Sequence, residues 1–168
     1  MTQIVLIGFM GAGKTAIGKS LAQKLQIPFL DTDQLIEKKV NLNIPQIFDE
    51  KGESFFRQKE KEVLNTIKDQ SAVISTGGGI ILSQESQALL ATFANVVFLE
   101  VDIDTLVERI KSDANNIRPL FLTHTSEAFQ QIYTDRLPIY QKAITLIVTN
   151  RGKSIEELTN EIILKVGV

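Results

Sequence analysis

The segment Gly8-Phe9-Met10-Gly11-Ala12-Gly13-Lys14-Thr15 matches the pattern G-x-x-x-x-G-K-[ST], which is suited to holding phosphate. Glycines let the backbone wrap closely, so that consecutive N–H groups can point at phosphate oxygens. A helix starting directly beyond adds free donors and a favourable dipole. Lys14 can reach the β- and γ-phosphates of a nucleoside triphosphate, and the Thr15 hydroxyl can ligate Mg²⁺. The bland alternative is a glycine-rich turn that merely joins a strand to a helix. An apolar run directly before the motif and a helical pattern directly after it favour phosphate.

Further groups could complete a reaction centre. Asp31 and Asp33 flank Thr32; in an extended chain residues i and i+2 point to the same side, so both carboxylates can face a bound nucleotide. Asp33 could instead cap a helix, since Leu35-Ile36 follow in helical register. Arg57 lies beside Phe56, with Glu60 one helical turn on. A planar guanidinium suits a planar carboxylate, because two parallel hydrogen bonds can form. A surface i,i+3 ion pair worth only about 0.2–0.5 kcal/mol is the other reading. Gly77-Gly78-Gly79 follows a strand and permits close backbone approach to a ligand, or else forms a flexible turn. Arg118, in Arg118-Pro119-Leu120, and Arg136, in Arg136-Leu137-Pro138-Ile139-Tyr140, could bind anions or be solvated charges. His124 is read as solvent-exposed, with no role.

Positioning these residues requires strands and helices in alternation. Strands are expected at Gln3–Ile7, Phe29–Leu30, Ala72–Ser75, Val96–Glu100 and Thr145–Val148. Four are nearly continuous apolar runs, as for strands covered on both faces. Helical patterns lie between them: Ile17, Leu21 and Leu25 fall four apart, and Phe56, Val63, Leu64 and Ile67 share a face. Ser154 with Glu157 forms a capping box ahead of Ile155, Leu158, Ile162 and Val166. The alternation predicts an α/β domain with a parallel sheet. The polar stretches Ser112–Asn116 and Thr123–Ser126 flank Arg118-Pro119-Leu120-Phe121-Leu122, the best candidate for a mobile lid.

Composition narrows the field. The 168 residues suit one domain and carry 18 Lys+Arg against 20 Asp+Glu, a net charge of −2. That balance argues against a nucleic-acid or anionic-membrane binder. The lack of cysteine excludes a disulfide scaffold, a thiolate zinc site and a cysteine nucleophile. No run approaches the roughly 20 apolar residues a membrane span needs, and the start of the chain lacks a signal-peptide pattern, so a cytoplasmic protein is expected. Guanine-reading N-K-x-D motifs and an apolar run ending in a Walker-B acidic pair are absent, which favours a small-molecule kinase over a switch or motor.

Taken in order, the phosphate loop, Asp31-Thr32-Asp33, Phe56-Arg57-Gln58-Lys59-Glu60, the triple glycine and Arg118-Pro119-Leu120 resemble the shikimate kinase family, over Ile4 to about Ile163. The resemblance implies a nucleoside-monophosphate-kinase-like fold: a five-stranded parallel sheet in order 2-3-1-4-5 flanked by helices. It also implies one domain over 1–168, a lid at about 112–126 and a substrate-binding region at about 33–61. The implied reaction is phosphorylation of the 3-hydroxyl of shikimate by MgATP, in chorismate and aromatic amino acid biosynthesis, by a monomer. Gly11, Ala12, Gly13, Lys14, Thr15 and Ala16 would bind ATP, with Arg118 over its phosphates and Arg151, in Asn150-Arg151-Gly152-Lys153, toward adenine. Asp33, Arg57, Gly78 and Arg136 would hold shikimate, and Thr15 and Asp31 would face Mg²⁺. Catalysis would rest on Lys14, Asp33 and Arg118. Two positions depart from the family pattern: Lys111 stands where an arginine often lies seven residues before the lid arginine, and Ser154 replaces a frequent proline. A gluconate or nucleotide kinase, or a nucleotide-dependent switch without turnover, are the rival readings.

Overall fold

The computed structural model describes residues 1–112 and 126–168. Five parallel strands form one sheet: β1 (Gln3–Ile7), β2 (Phe29–Asp31), β3 (Ala72–Ser75), β4 (Val96–Glu100) and β5 (Leu146–Thr149), in the order β2-β3-β1-β4-β5. The β-branched and leucine runs of β1, β3 and β4 are buried almost throughout, because helices cover both faces of the sheet centre. The edge strands β2 and β5 are only partly covered. Strand β5 begins one residue later than the pattern predicts. Thr145 stays outside the ladder and uses its hydroxyl to accept the Val96 N–H at 2.8 Å.

Every strand–helix crossover returns the chain to the same edge, so the C-terminal ends of the strands line up. Leu6, Ser75 and Asp31 lie level across β1, β3 and β2. The order of connection reverses around β1, which is where open α/β sheets place ligands. The loop after β1, the start of the helix after β2 and the glycines after β3 therefore meet there.

The helices are α1 (Lys14–Leu25), α2 (Thr32–Val40), α3 (Ile44–Lys51), α4 (Glu53–Ile67), α5 (Gln84–Leu90), α6 (Ile103–Ser112), α7 (Ser126–Lys142) and α8 (Ile155–Val166). Ile17 and Leu21 of α1, and Phe56, Val63, Leu64 and Ile67 of α4, are buried as their spacing predicts. Gly18 lets α1 lie directly on β2: a methyl there would come within 2.5 Å of the Phe29 ring. Gly52, at φ +84°, ends α3 and starts α4 in one left-handed residue. The Ser154–Glu157 capping box opens α8, with both reciprocal bonds formed. Arg118, His124 and the lid expected over about 112–126 fall on or around residues 113–125, outside the described residues.

Candidate active site

The phosphate loop leaves β1 and turns into α1 through Gly11 (φ +78°) and Gly13 (φ +91°), left-handed conformations that a side chain disfavours. Gly13 is the N-cap and offers no side chain to the first turn of α1, the end of a helix that suits an anion. Ala12 is buried beneath the loop, whereas Thr15 and Ala16 are exposed on the first turn. The Lys14 ammonium curls back into the loop and donates to the carbonyls of Gly8 (2.8 Å) and Phe9 (2.9 Å). A cation is thus stored at the concave face where phosphate charge would accumulate.

The aspartate pair differs from the extended arrangement that the i,i+2 spacing predicts. Helix α2 begins at Thr32, so Asp31 ends a strand while Asp33 sits in a first helical turn. The capping role also belongs to Asp31 and not to Asp33: Asp31 Oδ1 accepts the N–H groups of Asp33 (3.0 Å) and Gln34 (3.2 Å). Both bonds use one oxygen. Between the two acids, Thr32 is fully buried and its hydroxyl accepts the Gly77 N–H at 3.3 Å, which ties the end of β2 to the glycine loop. The sequence pattern alone gives Thr32 no role.

Each of the three glycines makes room for a different part of the site. A methyl on Gly77 would lie 2.7 Å from Asp33 Oδ1 and 3.1 Å from Glu60 Oε1. On Gly78 it would meet the backbone nitrogen of Met10, in the phosphate loop, at 3.1 Å. On Gly79 it would lie 2.5 Å from Arg57 Nη2. None of the three has a left-handed φ, so glycine is needed here for space and not for conformation. Within a few ångströms the loop gathers an acid, a buried ion pair and the nucleotide motif.

Arg57 is not a solvated surface charge. Its Nη1 donates to Glu60 Oε2 at 2.7 Å and its Nη2 to Glu53 Oε1 at 3.2 Å, and the guanidinium lies 5.3 Å from the Phe56 ring centroid. Glu60 has no exposed surface, and burial pushes its carboxyl up to about 7 against the opposing pull of Arg57. The charges of Asp33 and Glu53 add to that rise. Glu60 is therefore both the anchor of Arg57 and a weakly held charge. A groove of about 520 Å³ opens beside Arg57, lined in part by Ser54, Lys61 and Ser83.

Helix α7 brings in the other arginine. Phe129, Tyr133 and Arg136 follow at i, i+4 and i+7 and all meet Phe9 of the phosphate loop: two edge-on ring contacts at 5.3 and 5.4 Å, and the guanidinium at 5.4 Å. Arg151, after β5, is exposed, and its charge acts on Asp102. Lys111 is also exposed. It is Arg109 that reaches the phosphate loop, donating from Nη1 to the Gly11 carbonyl at 3.1 Å. Residues two apart on a helix point about 200° apart, so only one of the two can face the loop. Counting back from Arg118 leads to Lys111, and no local signal in the sequence distinguishes Arg109.

Thr15 and Asp31 fit a hard cation, offering a hydroxyl and a carboxylate whose second oxygen the cap does not use. Among the described residues no cluster of three or more acidic or histidine side chains could cage a metal, so a Mg²⁺ ion here would lean on substrate phosphates and water.

A glycine-rich phosphate loop at the switch point of a parallel 2-3-1-4-5 sheet, facing an acid and clustered arginines, defines a P-loop small-molecule phosphotransferase. The family model described as Shikimate kinase matches residues 10–166. A shikimate kinase of Enterococcus faecalis is 40% identical over 163 residues, which is 97% of each chain. The solved shikimate kinase of Acinetobacter baumannii in complex with shikimate superposes with a TM-score of 0.91 at 32% identity, covering 99% of this chain and 93% of that one. That of Bacteroides thetaiotaomicron gives 0.90 at 30% identity, with 99% of both chains covered. The chain belongs to the shikimate kinase family.

Proposed function

We infer that this chain transfers the γ-phosphoryl of MgATP to the 3-hydroxyl of shikimate, giving shikimate 3-phosphate and ADP. It thereby serves chorismate and aromatic amino acid synthesis. One observation carries the reading beyond family membership: the glycine loop holds Asp33 and Arg57 against the same three residues whose middle member touches the phosphate-loop backbone. Acceptor and donor sites thus share a wall, as direct transfer between two bound substrates requires.

In this reading the first-turn N–H groups of α1 and Lys14 hold the phosphates, with Gly11, Ala12, Gly13, Thr15 and Ala16 around them. Thr15 and Asp31 would hold Mg²⁺, which would offset phosphate charge when bound. Arg118 acts by family resemblance as the lid cation over the transferring group. Asp33 accepts the proton of the attacking hydroxyl or orients it. Arg57 and Arg136 grip the acceptor carboxylate, Gly78 offers its backbone to ring hydroxyls, and Arg151 flanks the nucleotide base. The chain works in the cytoplasm, where ATP and the acceptor are available; among the described residues no helix is long and apolar enough to cross a membrane.

The test is ADP release with and without shikimate, alongside gluconate, nucleoside monophosphates and shikimate methyl ester. Strong stimulation by shikimate and weak stimulation by its ester are expected. Equal use of acid and ester would refute carboxylate recognition, and turnover unaffected by any acceptor would refute the kinase reading.

A further inference from the structure

Tyr140 is a tyrosine at 1% exposure, stacked on Phe98 at 5.2 Å between ring centroids and 11° between planes. A buried phenol needs a partner, and here the glycine loop supplies one. Its hydroxyl donates to the carbonyl of Gly78, and the charge of Arg136, one turn earlier on α7, acts on it. The acceptor carbonyl belongs to the glycine on which an added methyl would meet the Met10 nitrogen of the phosphate loop at 3.1 Å. Arg136 in turn rests on the ring of Phe9 in that same loop. The phenol therefore binds the glycine-loop carbonyl one helical turn from the guanidinium that rests on the phosphate loop.

We propose that Tyr140 is a positioning residue, whose hydroxyl sets the distance and angle between the Arg136 guanidinium and the Gly78 loop and so aims the arginine at the acceptor's carboxylate. The proposal rests on the reading of Arg136 as a carboxylate clamp. A phenylalanine could fill the same volume and keep the stack on Phe98. It would leave the Gly78 carbonyl without its donor and take away the hydroxyl near Arg136, whose guanidinium rests on the face of Phe9. Burial holds the phenol proton on, so the hydroxyl stays a donor throughout the working pH range.

The experiment compares Tyr140→Phe, Arg136→Ala and the double variant for shikimate, shikimate methyl ester and ATP. Tyr140→Phe should lower the acid-to-ester ratio of kcat/KM roughly tenfold, the scale of one hydrogen bond lost between a misaimed Arg136 and the acceptor carboxylate. The KM for shikimate should rise more than kcat falls, and the KM for ATP should stay within about twofold. The double variant should discriminate acid from ester no worse than Arg136→Ala alone. If Arg136→Ala removes the discrimination while Tyr140→Phe keeps it, the tyrosine is merely packing and the proposal fails. If Arg136→Ala keeps it as well, the clamp reading falls first and the proposal with it. A fall in thermal stability without a change in the ratio also counts against positioning.

Discussion

Replacing Gly79 with alanine should damage acceptor binding while leaving the fold almost untouched. The added methyl would sit 2.5, 2.8 and 2.9 Å from Nη2, Nη1 and Cζ of Arg57, where ordinary contact begins near 3.4 Å. The guanidinium must therefore retreat by about 0.9 Å, the difference between 3.4 and 2.5 Å. It can do so, because it is the far end of a flexible side chain and Glu53 offers an exposed partner on one side. The backbone raises no objection: φ is −100° at Gly79, which alanine adopts freely. Stability should change by less than about 1 kcal/mol, or about 2–4 °C in Tm for a chain of this length. Function should not escape, since a misplacement of about 1 Å can cost on the order of a hundredfold. The KM for shikimate should thus rise roughly 30- to 100-fold, with the KM for ATP nearly constant. Gly78→Ala is the contrast. Its methyl would press at 3.1 Å on backbone of the phosphate loop, which cannot swing aside, so both substrates should suffer. Steady-state kinetics with each substrate varied, beside a thermal melt, decide the matter. A Gly79→Ala enzyme with shikimate KM within about threefold of wild type, or with both KM values rising together, would refute the reasoning.

Asp33→Asn should cut kcat by roughly 10²–10⁴-fold, since the acceptor hydroxyl loses its base, while MgATP binds as before. Because Asp31 holds the helix cap, the Asn variant should melt near wild type; a large drop in Tm with kcat preserved would mean that Asp33 is structural. Glu60 predicts a pH signature of stability. Its carboxyl, raised to about 7 from an ordinary 4.5, binds more protons folded than unfolded between those values. Its contribution is therefore fully present below about 4.5 and is lost as pH rises through about 7, with a slope of at most about 1.4 kcal/mol per pH unit. Glu60→Gln should flatten that part of the curve in urea melts at pH 5, 6 and 7, and an unchanged slope would remove the assignment.

Much of this protein was legible one residue at a time. The phosphate loop declares itself because its chemistry is local: backbone wrapping, a helix start and one lysine all lie within eight residues. The strands β1, β3 and β4 and the capping box at Ser154 follow from periods and caps that span one element each. The aspartate pair was harder, because whether Asp33 is extended or helical turns on where α2 begins. Asp31 marks that boundary by capping α2, and a bond between Thr32 and Gly77, 45 residues apart, ties it to the glycine loop.

By itself, then, the sequence determined the α/β alternation, the nucleotide motif and the identity of the charged side chains, all matters of local spacing. Tertiary structure decided which of those charges meet. Arg57 and Glu60 form an i,i+3 pair on any helix, but only packing against the triple glycine buries the pair and raises the Glu60 carboxyl. Arg109 and not Lys111 faces the phosphate loop because the rotation of α6 about its axis is set by its packing on the body of the protein, not by counting residues. Tyr140 lies 62 residues from the glycine whose carbonyl it holds. Contacts of that kind arise from the crossover topology of the sheet, which brings strand ends to one edge whatever their distance along the chain.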